Sequence, residues 1–296
     1  MNWKFSTSIE LRARIAESGL TPAEFLVARE AFSLGNDASQ VRAELARRIV
    51  VTRQAIDKGI AHPQRSISGL TDGAGARMAG CATLPVHDDL FCRALTYALA
   101  VSEVNACGGR IVAIPTAGSC GIVPGVLWAW RDTRAPELQP WSPEFQDAYV
   151  IASAVGMLIA ARATLAGAAG GCQAECGAAA AMASAGLLSL MGHGLDEALD
   201  GAALSLKNCL GLACDPVAGL VEVPCVKRNG FLAANALTAA SMVEAGIHSA
   251  IPFDDVVDAL KSIGDSMPSS IRESSEGGLA ATPTGRAWKE KMGAGA

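Results

Sequence analysis

Val150-Ile151-Ala152-Ser153-Ala154-Val155-Gly156-Met157-Leu158-Ile159-Ala160-Ala161 is the most apolar stretch of the chain, and its reading decides the fold. It falls well short of the roughly 20 residues that a membrane-spanning helix requires, and Arg162 interrupts the apolar run. Ser142-Pro143 ahead of it supplies a serine cap and a proline in the first turn. A long core helix is therefore expected from there to about Leu165. Its alanines and glycine are small enough for neighbouring helices to approach closely.

Helical signals continue on both sides. Thr21-Pro22-Ala23-Glu24 is a capping box with proline at the first helical position, so a helix should run to Leu34. Asp37 starts the next, whose apolar stripe of Val41, Leu45, Ile49 and Ile56 runs to Gly59. Residues 1 to 61 are thus expected to form a helical hairpin packed on the outside of the core. Asp88-Asp89 open a helix to Cys107, Pro124 another, and Glu175 to Met191, Leu195 to Leu210, Phe231 to Ala245 and Phe253 to Ile263 read as helices. Arg110 to Pro115 is the one candidate extended piece. Strand signals are otherwise almost absent, so the fold class is all-α, with a compact helical domain over residues 62–296. Its polar work falls to loops at 62 to 85, 115 to 124, 168 to 176, 211 to 230 and 272 to 286.

Half of the 296 residues are apolar, ample for a large core. A formal charge of −5 and the lack of any basic run argue against nucleic acid or an anionic membrane as partner. The N-terminus, Met1 to Thr7, leads into a charged stretch and lacks the apolar core of a signal peptide, so a cytoplasmic location is expected. Nine cysteines then read as reduced thiols or ligands and not as a disulfide framework.

Three of those cysteines stand where helical pattern gives way to irregular backbone: Gly170-Gly171-Cys172-Gln173-Ala174-Glu175, Leu212-Ala213-Cys214-Asp215-Pro216 and Val223-Pro224-Cys225-Val226-Lys227-Arg228-Asn229. Glycine and proline let the chain turn tightly there, so the thiols can converge from separate elements. Three thiolates without a nearby histidine suit an iron-sulfur cluster with one open iron better than a closed zinc site. Buried cysteines that act as small hydrophobes give the same pattern, and spacing alone does not separate the two. Cys81, Cys92, Cys107, Cys120, Cys176 and Cys209 are read as buried and unligated. Thr116-Ala117-Gly118-Ser119-Cys120-Gly121, a glycine-rich loop ahead of a helix, suits a carboxylate or phosphate, or serves as a plain connector.

Taken together these loops resemble the α subunit of bacterial iron-sulfur-dependent L-serine dehydratases, over roughly residues 62 to 286. The resemblance is carried by Ser68-Gly69-Leu70-Thr71, Val101-Ser102-Glu103-Val104-Asn105-Ala106, Pro115 to Gly121, Gly170 to Glu175, Lys207-Asn208, Leu212 to Asn229 and Gly278-Leu279-Ala280-Ala281-Thr282-Pro283-Thr284-Gly285. It implies an all-helical catalytic fold with a [4Fe-4S] cluster on Cys172, Cys214 and Cys225, and dehydration of L-serine to pyruvate and ammonia. It makes Ser68, Thr71, Thr116, Gly118, Ser119 and Asn229 candidates for substrate contacts. Asp72 replaces a glycine usual in the family, placing an extra carboxylate beside the first substrate loop.

The family's β portion, with a Ser-Ser-His-Thr element that carries a catalytic histidine, has no match in this sequence. A separate β subunit, within an oligomer, is the implied partner. His62, His87 and Lys207 are weak candidates for a base within the chain; capping or surface roles suit the histidines better, and a solvated helix position suits Lys207 equally. A cysteine desulfidase using the same open iron, and a subunit silent without its partner, are the rival readings.

Overall fold

The computed structural model describes residues 2–81 and 88–293. These residues are predominantly helical and contain no strand; the single β-bridge pairs Cys214 with Arg272. The expected extended piece at 110–115 is irregular backbone.

The centre of the molecule is the helix α9, Ala178–Leu190, whose residues from Ala178 to Leu188 are all buried. Such a helix, apolar on every side, must be enclosed by others. Around it pack α6 (Ile122–Arg134), α7 (Pro143–Arg162), α10 (Leu195–Lys207) and α11 (Cys225–Glu244). Small residues set the spacing: a Cβ on Gly186 would lie 2.8 Å from the carbonyl oxygen of Ala148, so α7 and α9 touch backbone to backbone. α7 contains the stretch quoted first. It is long and apolar enough to cross a membrane, yet 67% of its most apolar window is buried in the chain's own core.

A second layer holds α5, Asp89–Ala106, against α6 and α11, with α4 (Ala74–Gly80) and α3 (Ala38–Ala61) on its outer side. Trp128 of α6 donates its indole N–H to Thr52 of α3 at 2.9 Å, and the Thr52 hydroxyl donates to the Ile49 carbonyl at 2.7 Å. Every polar atom taken into that contact is thereby partnered.

The N-terminal region has one more helix than expected. Besides α2 (Pro22–Leu34) and α3, a helix α1 spans Ser8–Ser18. Thr7 and Glu10 form its capping box, a signal the charge of this stretch obscures. The backbone N–H and hydroxyl of Ser8 bond to buried Asp254 at 2.9–3.0 Å, tying α1 to α12, Phe253–Ser266.

Several boundaries differ from the sequence reading: α9 begins at Ala178 and not Glu175, and α10 ends at Lys207 and not Leu210. α7 ends at Arg162, and α11 begins at Cys225, six residues before Phe231. The polar run Lys227-Arg228-Asn229-Gly230 resembles a loop, but Gly230 lies inside the helix and packs against Leu99. Cys225 consequently stands in the first turn of a 20-residue helix. Free N–H groups and the positive dipole end there favour a thiolate.

Candidate active site

Cys172, Cys214 and Cys225 come from three separate elements and all are buried. Gly171, at φ +75°, turns the chain out of the short helix α8 (Gly167–Gly170), and a Cβ there would strike Met267 and the Leu212 carbonyl. Cys172 comes next and leads into a π-helical turn over Gln173–Gly177, a distortion common at functional sites. Gln173 fastens the neighbouring loop to this turn. Its backbone N–H donates to the Leu212 carbonyl at 3.1 Å, and its amide oxygen accepts from Gly211 at 2.9 Å. Its amide nitrogen donates to the Leu260 carbonyl of α12 at 3.0 Å. Cys214 is further fixed by a bond from its N–H to the Ile271 carbonyl at 2.9 Å.

The thiols of Cys176 and Cys214 and the guanidinium of Arg228 all reach the Cys172 sulfur and pull its pKa well down. Cys214 moves up, chiefly because its thiol hydrogen bonds to Cys172, and burial pushes Cys225 up to about 12. Ionising one thiol thus raises the cost of ionising the others, and thiolates gathered this closely require a cation. Such a donor set, all sulfur and largely dry, fits a thiophilic metal centre. The sulfur atoms of Cys172 and Cys176 and a carboxylate oxygen of Glu175 also lie within 4.8 Å of one another. Cys176, read as unligated, therefore sits against the candidate ligands. Cys120 and Cys209 are buried as expected, whereas Cys92 and Cys107 are only partly buried and Cys81 is exposed.

Glu175 is the chief residue the sequence reading passed over. Its carboxylate accepts from the Thr116 hydroxyl, which also bonds Ser119 at 2.9 Å. A Cβ on Gly118 would come within 2.7 Å of Glu175 Oε1, so a side chain at 118 would displace the carboxylate. Burial raises the Glu175 pKa, and the Thr116 bond only partly offsets it. The backbone N–H groups of Ala117, Gly118 and Ser119 make no hydrogen bond to the described residues. They form a row of free donors ahead of α6, a favourable arrangement for an anion.

Asn229, expected at the substrate, has its amide committed to backbone groups. It is fully buried, and its amide accepts from Gly121 N–H at 3.0 Å and donates to the carbonyls of Gly118 at 2.8 Å and Cys225 at 2.9 Å. It pins the 116–121 loop to the first turn of α11.

Ser68 is likewise occupied. It and Ser66 donate to the buried carboxylate of Glu222, Ser68 at 2.8 and 2.9 Å to its two oxygens. Thr71 instead has a buried hydroxyl with no partner. Glu103, inside the Val101 to Ala106 motif, accepts from the N–H groups of Gly73, Ala74 and Gly75 at 3.1, 2.6 and 2.9 Å and fixes the end of this loop. Asp72 turns outward to pair with Arg77 at 2.6 Å, so its carboxylate does not enter the loop's inner face.

Of the candidate bases, Lys207 is directed to the Ser249 hydroxyl at 2.8 Å. That bond points it toward the loop before α12. His62 is exposed at the C-terminal cap of α3, and His87 lies outside the described residues. His193 and His248 pair with Glu244 and Asp200 on the surface.

Comparison with known proteins identifies the family of the chain. The family model for the serine dehydratase alpha chain matches residues 17–280. The probable L-serine dehydratase alpha chain of Bacillus subtilis strain 168 is 40% identical over 282 residues, covering 95% of this chain and 92% of its own length. The L-serine dehydratase alpha chain of Peptoniphilus asaccharolyticus is 37% identical over 272 residues, 91% of this chain and 92% of the relative. The L-serine dehydratase of Streptomyces coelicolor is 33% identical over 95% of this chain, which spans 61% of that longer protein. With the family model matching residues 17–280 and relatives 37–40% identical over more than nine-tenths of both chains, the chain belongs to the serine dehydratase alpha chain family.

Proposed function

We propose that this chain is the α subunit of an L-serine ammonia-lyase that forms pyruvate and ammonia, with a [4Fe-4S] cluster held by Cys172, Cys214 and Cys225. What supports the reading is the Cys214 thiol within hydrogen-bonding reach of Cys172, with buried Cys225 near enough to act on Cys172 electrostatically, together with the free N–H row at Ala117, Gly118 and Ser119. When bound, such a cluster supplies an iron without a protein ligand, a Lewis acid suited to the β-hydroxyl oxygen of the substrate.

The chain's own residues bind and orient. The row at 117–119 is suited to the substrate carboxylate, with the unpartnered Thr71 hydroxyl as a further donor. Gly118 leaves room for that approach, and Asn229 holds the loop in place from behind. Arg228 balances the negative charge gathered at the thiols, with its other contacts to the Ala213 carbonyl and Asp215 keeping it oriented. Removal of the α-proton requires a positioned base, and we assign it to a separate β subunit, in keeping with the alpha chain names of the relatives. Hydrolysis of the enamine product after tautomerisation needs no further group.

Anaerobic reconstitution with iron and sulfide tests the ligand set. We expect about four irons per chain, lost in Cys172→Ser, Cys214→Ser and Cys225→Ser and kept in Cys176→Ser. Full iron content in any of the first three would overturn the assignment.

A further inference from the structure

Glu273 stands at φ +64°, a left-handed conformation that side chains seldom adopt. Its backbone N–H donates to the Cys214 carbonyl at 2.7 Å, so the residue is held directly beside that thiol. The consequence is visible at Gly167. One point next to its Cα, where a side chain would begin, lies 3.1 Å from Cys214 Sγ, 3.3 Å from Glu175 Oε2 and 3.5 Å from Glu273 Oε2. Two carboxylates thus face the same small space, and the glycine keeps it open.

The oxygens are differently committed. Glu175 Oε1 is engaged by Thr116, leaving Oε2 toward the space, and no described residue donates to the Glu273 carboxylate. The cation interacting with Glu175 is Arg228, which also serves Cys172, Ala213 and Asp215. Two carboxylate oxygens facing one space suit a hydrogen-bond donor that carries positive charge.

We propose that Glu175 and Glu273 form the subsite for the α-ammonium group of the substrate, and so select amino acids over the corresponding hydroxy acids. This rests on the amino-acid substrate proposed above. The ammonium would bridge Glu175 Oε2 and Glu273 Oε2 while the carboxylate lies on the 117–119 amides, on the other side of Glu175. Paired in this way, the amine stays protonated while the α-proton is removed.

The test uses the iron-loaded chain assembled with its β partner, comparing wild type with Glu273→Gln. Exposed on the surface, Glu273 tolerates the substitution without a buried cavity. L-alanine and L-lactate serve as probes that share a carboxylate and a methyl group and differ in ammonium against hydroxyl. Losing one charge-assisted bond should raise KM for L-serine and weaken L-alanine binding by about tenfold or more. L-lactate binding and iron content should remain at the wild-type level. Equal weakening of both probes, no change in either, or loss of iron would overturn the subsite. Calorimetric binding of the two probes decides this even if wild type fails to dehydrate L-serine, an outcome that would instead overturn the proposed reaction.

Discussion

Replacing Asn229 by alanine separates a residue that touches substrate from one that holds the loop. Three hydrogen bonds disappear: one from Gly121 N–H at 3.0 Å, and two to the carbonyls of Gly118 and Cys225 at 2.8 and 2.9 Å. Asn229 is completely buried, so water does not replace the lost partners without opening the structure. Two backbone groups, Gly121 N–H and the Gly118 carbonyl, are left without their side-chain partner, while the Cys225 carbonyl still has its place in the α11 ladder. At about 1–3 kcal/mol for each orphaned group, the loss should be roughly 2–6 kcal/mol. That is a large part of the 5–15 kcal/mol typical of a folded domain. Chemical denaturation at fixed iron loading measures it, with thermal unfolding as a second readout; at about 2–4 °C per kcal/mol the midpoint should fall by roughly 5–20 °C. A variant within about 0.5 kcal/mol of wild type that shows only a raised KM would refute the reasoning and return Asn229 to the substrate-binding set.

Three further contacts carry expectations of their own. Asp132 is subject to burial, which raises its pKa, but bonds from Arg131, Arg53 and Tyr97 outweigh this and hold it below the ordinary 3.8. Its stabilising contribution is therefore complete above about pH 4 and lost as the pH falls further; Asp132→Asn should cost about 1–3 kcal/mol at pH 7, and its deficit against wild type should shrink in acid unfolding. Glu222→Gln should loosen the 66–71 loop by weakening the bonds to Ser66 and Ser68, seen as faster tryptic cleavage after Arg65 with the unfolding midpoint changed by about 1–3 kcal/mol; unchanged cleavage would argue that the carboxylate does not hold this loop. The iron-loaded chain alone should turn over L-serine about 10²–10⁴-fold more slowly than the chain mixed with a β subunit, since it lacks the positioned base. Equal rates would place the base within this chain, with His62 and His87 the first positions to replace.

Sequence alone determined the all-helical class, because its signals are local: a capping box at Thr21, a helix start at Asp37, a proline after Ser142, and long runs of small apolar residues that only an enclosed helix can bury. It also placed three cysteines at breaks in the helical pattern and, through the motifs around them, pointed to the family that the comparisons identify. The tertiary structure decided what each polar side chain does. Ser68 and Glu222, Asn229 and Gly118, and Glu175 and Thr116 are separated by 154, 111 and 59 positions, so nothing in the local sequence announces their hydrogen bonds. Asp72 lies five positions from Arg77 and turns away from the loop for that reason. A hydroxyl or amide has the same sequence signature whether it is free to meet a ligand or already bonded. Which of these holds is settled when buried groups find partners across the fold, as Thr71 does not and Asn229 does.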